Sequence, residues 1–240
     1  MSKTKLFCLP FAGGNKYSYR MFEDNAPDSL SIVPLEFPGR GARSREPFIK
    51  DMQRLVHDMY SQLRPQINDQ PYAVYGHSMG GIAAFMLCRK IFADESFAPP
   101  LHLFVSGSHS PARQKKDNKQ RHLLSKNDFI EEMRNLNGIP EEILQNEDLL
   151  NFFEPILRVD FETAETFRYR QQPPMDLPIT VMTGTEEDFE DDDIQLWQQE
   201  TLQPVDFRQF EGKHFFINQH AHPILHIISE KLLLTTNLYQ

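Results

Sequence analysis

Six short apolar runs, each closed by turn residues, alternate along the chain with stretches of helical periodicity, and that alternation admits few architectures. The runs are Lys5 to Phe11, Ser31 to Phe37, Tyr72 to Tyr75, Leu101 to Ser106, Ile179 to Thr183 and Val205 to Phe210. Their length and composition predict strands. Helix-like stretches lie between most of them, at Phe48 to Leu63, Gly80 to Ala93, Asp192 to Glu200 and Ala221 to Leu234. Short apolar strands separated by helices predict a mostly parallel sheet covered on both faces. A chain of 240 residues, 40% hydrophobic, suits one such α/β domain. From Pro111 to about Arg170 the alternation stops. The segments "NDFIEEMRNL" and "NEDLLNFFEPIL" are amphipathic, and "NGIPEE" between them breaks any continuous helix. A helical insertion over 111–170 is predicted.

Composition removes several function classes. A formal net charge of −9 argues against general nucleic-acid binding, which needs a concentrated basic surface. Cys8 and Cys88 each sit inside an apolar run, so buried thiols are expected rather than a disulfide framework or a metal site. No apolar run reaches bilayer-spanning length, and "MSKTKLFCLPF" enters a strand without a leader peptide, so a soluble, cytoplasmic protein is expected.

Gly76-His77-Ser78-Met79-Gly80 matches G-x-S-x-G between a predicted strand and a predicted helix. In that context a sharp turn holds the serine on a strained corner, and glycines on either side avoid side-chain clashes. An exposed serine becomes a nucleophile only with a base to take its proton and donors to hold the oxyanion. One donor in such a turn is the amide after the nucleophile, here Met79; the other comes from the loop after an early strand. "LPFAGG" at the end of the first run supplies that loop, with Ala12 as the second donor. "EFPGRG", after the second run, opens onto the same carboxyl edge of the sheet, where ligands bind in open α/β sheets.

Nine histidines are available as base. His77 lies inside the turn and is read as bracing it, while His57, His102 and His122 carry no catalytic signal. His214, in "FEGKHFFI" directly after the last predicted strand, would reach the active edge on a loop loosened by Gly212. Chain order in this architecture runs serine, acid, histidine, so the acid should follow the strand Ile179 to Thr183. There "TEEDFEDDD" offers seven carboxylates, most of which read as a solvated face.

In order along the chain, "FCLPFAGG", "EFPGRG", "YGHSMGG", "SGSHSP", "GIPEEILQNEDLLNFFEPILRVDFETAE" and "FEGKHFFI" resemble the blocks of the type II thioesterases of non-ribosomal peptide and polyketide synthesis. The resemblance covers nearly the whole chain. It implies an α/β-hydrolase fold with a lid, and hydrolysis of acyl or aminoacyl groups from phosphopantetheine arms of acyl or peptidyl carrier proteins. It also implies Ser78 as nucleophile and His214 as base. The family's acid, usually an aspartate three residues past the strand-ending glycine, falls on Glu187, with Asp188 as its competitor. The chemistry asks for no metal or organic cofactor, because a thioester is already an activated acyl group. The motif alone says acyl transfer and nothing of the leaving group, so a fatty-acyl thioesterase or small-molecule esterase would use the same residues. A non-catalytic binding protein on the same scaffold is the remoter alternative; it would require the serine, histidine or acid to be missing, and none is.

Two further expectations concern the insertion. Its apolar residues Phe129, Met133, Leu136, Phe152, Phe153 and Ile156 either line an acyl pocket beneath a mobile lid or pack the insertion together. "ARQKKDNKQRH" carries five Lys or Arg residues against one Asp, so Lys115, Lys116 and Lys119 are candidate contacts for an acidic carrier protein. With no extra apolar patch evident, a monomer is expected.

Overall fold

Every strand of the sheet runs parallel to its neighbours, as runs apolar on both faces require. The computed structural model describes residues 3–67, 70–94, 98–113, 119–136, 143 and 145–238, with side chains up to residue 235. Strands β1 (Thr4–Leu9), β2 (Leu30–Pro34), β3 (Tyr72–His77), β4 (Leu103–Ser106), β5 (Ile179–Gly184) and β6 (Asp206–Phe210) form one six-stranded sheet. Their order is β2-β1-β3-β4-β5-β6, and each neighbouring pair is parallel. The order reverses between β1 and β3, so the loops leaving those two strands diverge at a switch point. That is where open α/β sheets make their crevice.

Strand periodicity divides the core. Along β1, Phe7 and Leu9 join the cluster under α2 (Met52–Leu63) and α3 (Met79–Phe92), while Leu6 and Cys8 face α7 (Ala221–Leu238) on the other side. Cys8 and Cys88 are both buried and free, on opposite faces of the sheet. β6, one of the two edge strands with β2, reads D-F-R-Q-F with only partial burial, which suits a strand paired on one side.

Helix starts are set by caps. α2 begins at Met52, four residues after the predicted start, because the Asp51 side chain accepts the Arg54 N–H and fixes the first turn there. Short α1 (Arg20–Asp24) follows a 3₁₀ turn and has no sequence counterpart among the predicted helices. Between β4 and β5 lie α4 (Lys126–Asn135) and α5 (Glu147–Thr166), capped by Ser125 and Asn146. Phe129, Met133 and Leu157 form a small cluster of their own between these two helices. At the other end of α5, Ala164 and the following Phe167 pack on the main core. The acidic run ends in α6 (Asp191–Gln195), whose first turn holds Asp191, Asp192 and Asp193 against the positive end of the peptide dipoles. Among the described residues, no helix is long and apolar enough to cross a membrane.

Candidate active site

At the end of β3 the chain turns into α3 through Ser78, the one described non-glycine residue with positive φ (55°, ψ −125°). A conformation of that kind costs of order 1–3 kcal/mol and persists only where its surroundings hold it. They do so here. The Ser78 N–H donates to the Ser106 carbonyl at 2.8 Å, and the Ser78 carbonyl accepts the Gly81 N–H at 2.9 Å. The two motif glycines are sites of close approach: a Cβ on Gly76 would lie 2.0 Å from the Gly80 oxygen, and one on Gly80 2.5 Å from the oxygens of Leu9 and Pro10. α3 therefore crosses β1 and β3 at a distance only glycine permits, leaving Ser78 half-buried at the sheet's carboxyl edge.

Across from the serine, His214 Nε2 lies 2.9 Å from Ser78 Oγ, and His214 Nδ1 lies 2.5 Å from Glu187 Oε1. The second Glu187 oxygen accepts the Gly184 N–H at 2.7 Å, so both carboxylate oxygens are engaged. The loops carrying acid and imidazole are stitched together. Thr185 N–H donates to the Phe210 carbonyl, Glu186 N–H to the Gly212 carbonyl, and Gly212 N–H to Thr185 Oγ1. Of the two competing carboxylates, Glu187 is the one on the imidazole; Asp188 is exposed and makes no bond to it.

In the loop after β1, Gly14 N–H donates to the Phe11 carbonyl and Gly13 N–H to the Asp160 carboxylate. Among the described residues, the Ala12 N–H has no acceptor. Met79 opens α3, so its amide belongs to the first turn, where N–H groups lack intrahelical partners.

Comparison with known proteins puts this geometry in a family. The family model described as "Thioesterase domain" matches residues 4–232. The chain belongs to the thioesterase family. It is 32% identical to the gramicidin S biosynthesis protein GrsT of Aneurinibacillus migulanus over 238 residues, which cover 97% of this chain and 90% of that one. Among solved structures, ClbQ from the colibactin NRPS/PKS pathway superposes with a TM-score of 0.92 at 28% identity, covering 99% of this chain and 100% of its own. The type II thioesterase BorB from the borrelidin biosynthetic cluster superposes at 0.87 and 32%, covering 96% and 93%. The thioesterase is thus an α/β-hydrolase, and its relatives serve assembly-line biosynthesis.

Two residues of the thioesterase's site had little sequence signal as participants. His77 is fully buried, and its Nδ1 lies 2.9 Å from Ser106 Oγ, which is 2.6 Å from Tyr75 Oη. Its ring sits 4.8 Å from that of His214, and burial pushes its pKa well below the usual histidine value. A neutral ring there spares His214 a second positive charge when it takes up a proton. Gly107, at φ 55° after β4, is the other: a Cβ would lie 2.5 Å from His77 Cε1 and 3.2 Å from His214 Cε1. Its place in "SGSHSP" was the only available hint. On the far side, the His109 ring lies 4.2 Å from that of Phe189, and burial takes its pKa down to about 4.

The insertion differs from the pocket-lining expectation. Phe129 and Met133 turn into the cluster with Leu157, packed also by Phe153, so α4 and α5 use them to hold each other. Phe152 is 60% exposed and Leu136 also faces solvent. The basic segment is less free than its composition implies. Lys119 pairs with Glu132 at 2.6 Å, Arg121 with Glu132 and Glu165, and Arg113 with Asp193. Lys115 and Lys116 lie outside the described residues.

Proposed function

We propose that this thioesterase hydrolyses acyl and aminoacyl thioesters on the phosphopantetheine arms of carrier proteins, clearing stalled or misprimed groups in non-ribosomal peptide or polyketide synthesis. The observation that carries the reading is the unbroken chain from Ser78 Oγ through His214 to Glu187, at 2.9 and 2.5 Å. Glu187 accepts a hydrogen bond from the His214 Nδ1–H and so fixes the tautomer that leaves Nε2 bare to take the serine proton. Ser78 Oγ attacks the thioester carbonyl while Nε2 takes that proton, and the amides of Met79 and Ala12 hold the resulting oxyanion. Collapse breaks the C–S bond, His214 returns its proton to the sulfur, and the acyl group stays on Ser78. Water, deprotonated by His214, then attacks the acyl-enzyme and releases the acid, restoring the serine proton.

The partner class is supported by the relatives' place in NRPS and PKS pathways. Mass spectrometry of carrier proteins loaded with different acyl groups tests it directly, beside the same groups on coenzyme A and as simple esters. Faster unloading of carriers by wild-type protein, with none by Ser78→Ala, is expected. Preference for coenzyme A or for simple esters would replace the carrier reading with a fatty-acyl thioesterase or an esterase. A folded Ser78→Ala protein that still turns over would overturn the mechanism, since removing the nucleophile costs several orders of magnitude in such enzymes.

A further inference from the structure

The three amides of the oxyanion loop have three different fates. Gly14 N–H turns back to the Phe11 carbonyl at 2.9 Å, closing the turn. Gly13 N–H points away from it, to Asp160 Oδ2 at 2.7 Å. Among the described residues, Ala12 N–H alone is left over. Asp160 comes from α5, 147 residues further along the chain. Its carboxylate is gripped by Arg40, from the loop after β2, with Nη1 on Oδ2 at 2.5 Å and Nη2 on Oδ1 at 2.6 Å. Arg40 Nη1 also donates to the Gly14 carbonyl at 3.1 Å. Both side chains are only 3% exposed.

A buried ion pair is weak evidence for stability, because removing two charges from water offsets most of their attraction. Here the pair reaches the one loop that has an amide to aim. Gly13 is held at φ 76°, and a Cβ there would lie 2.6 Å from Leu157 Cδ2, so α5 is seated directly on the loop. We propose that Asp160 is a positioning residue for oxyanion stabilisation: by accepting the Gly13 amide it turns the preceding peptide so that the Ala12 amide faces the reacting carbonyl. Arg40 aims that carboxylate and ties the loop after β2 to the same point. The inference rests on the reading of Ser78 as nucleophile. It also makes α5 part of the working site, beyond any role in covering it.

Asp160→Ala alone would strand a buried guanidinium and can unfold the protein, so the test removes the charge pair first. Two double variants are compared, Arg40→Met with Asp160→Asn and Arg40→Met with Asp160→Leu. Asparagine keeps an oxygen for the Gly13 N–H; leucine has the same shape without one. With a small N-acetylcysteamine thioester, the asparagine double variant is expected to lose part of the wild-type kcat, because Arg40 no longer aims its side chain, and to stay well above the leucine double variant. The leucine double variant should lose on the order of a hundredfold in kcat at unchanged KM, the scale of removing one oxyanion donor. Its affinity for an acyl trifluoromethyl ketone, which forms a tetrahedral adduct on the serine, should fall in the same proportion as kcat/KM. Equal kcat in the two double variants, or leucine's loss without a matching loss of ketone affinity, overturns the proposal. Ser78→Ala is measured alongside: turnover there would sink the nucleophile reading itself, whereas an inactive Ser78→Ala with equal double variants sinks only the role of Asp160.

Discussion

Glu187 carries one methylene more than aspartate, and the loop uses the extra reach. One oxygen meets the His214 Nδ1 at 2.5 Å while the other caps the Gly184 amide at 2.7 Å, a pair of contacts that ties the acid to the strand end it departs from. Glu187→Gln puts an NH₂ or a poorer acceptor against Nδ1 and so favours the wrong tautomer. Turnover of a fluorogenic ester should fall by about 10³-fold or more, near the scale of amide substitution in other triads. Asp188→Asn, which touches neither ring nor loop hydrogen bonds, should stay within about threefold. The reverse ranking would assign the acid to Asp188. Gly107→Ala makes a complementary case: at φ 55°, with two histidine rings in the way, a methyl group should cut kcat and lower the melting midpoint together. A Gly107→Ala protein with normal kcat would mean that the rings shift freely.

The two insertion helices show how an element's amphipathic pattern underdetermines what its apolar side will meet. The spacing in "NDFIEEMRNL" assigns Phe129 and Met133 to one face, which either the sheet edge or α5 could have covered; α5 covers it. Met133→Ala should therefore destabilise the α4 to α5 contact by about 2–5 kcal/mol, the usual range for truncating a buried methionine. Limited proteolysis should show it as faster cleavage within the insertion. Phe152→Ala removes an exposed ring and should leave proteolysis and the melting midpoint unchanged within error. Equal sensitivity of the two variants would contradict the packing described. The acidic run is resolved at the same scale. Glu187 meets the imidazole, Asp193 meets Arg113 at 2.6 Å, and the three aspartates open a helix, so carboxylates beyond the expected acid also have partners of their own.

For the whole molecule, three buried imidazoles set an acid limit. Burial lowers the pKa of His77 well below the usual value, that of His102 to about 3 and that of His109 to about 4. Unfolded histidine titrates near 6.5. Each ring's contribution is therefore complete above about pH 6.5. It is withdrawn as the pH falls below that value, because only the unfolded chain binds the proton, at about 1.4 kcal/mol per pH unit and histidine. Urea midpoints should drop between pH 7 and pH 5. His102→Gln, which keeps a side-chain partner for Thr180 Oγ1, should drop less than wild type; an identical drop would remove His102 from the account. The sequence by itself determined what is local. Apolar runs of strand length must pair, glycines flanking Ser78 must form a tight turn, and His214 stands out because it directly follows the last apolar run. Only the tertiary structure decided the rest. Glu187 over Asp188 depends on a loop stitched to its neighbour by backbone bonds, and Arg40 and Asp160 meet across 120 residues. Neither the Arg40 segment nor the Asp160 segment carries a motif or periodicity that points to the other, so that pair came to light only once the fold brought them together.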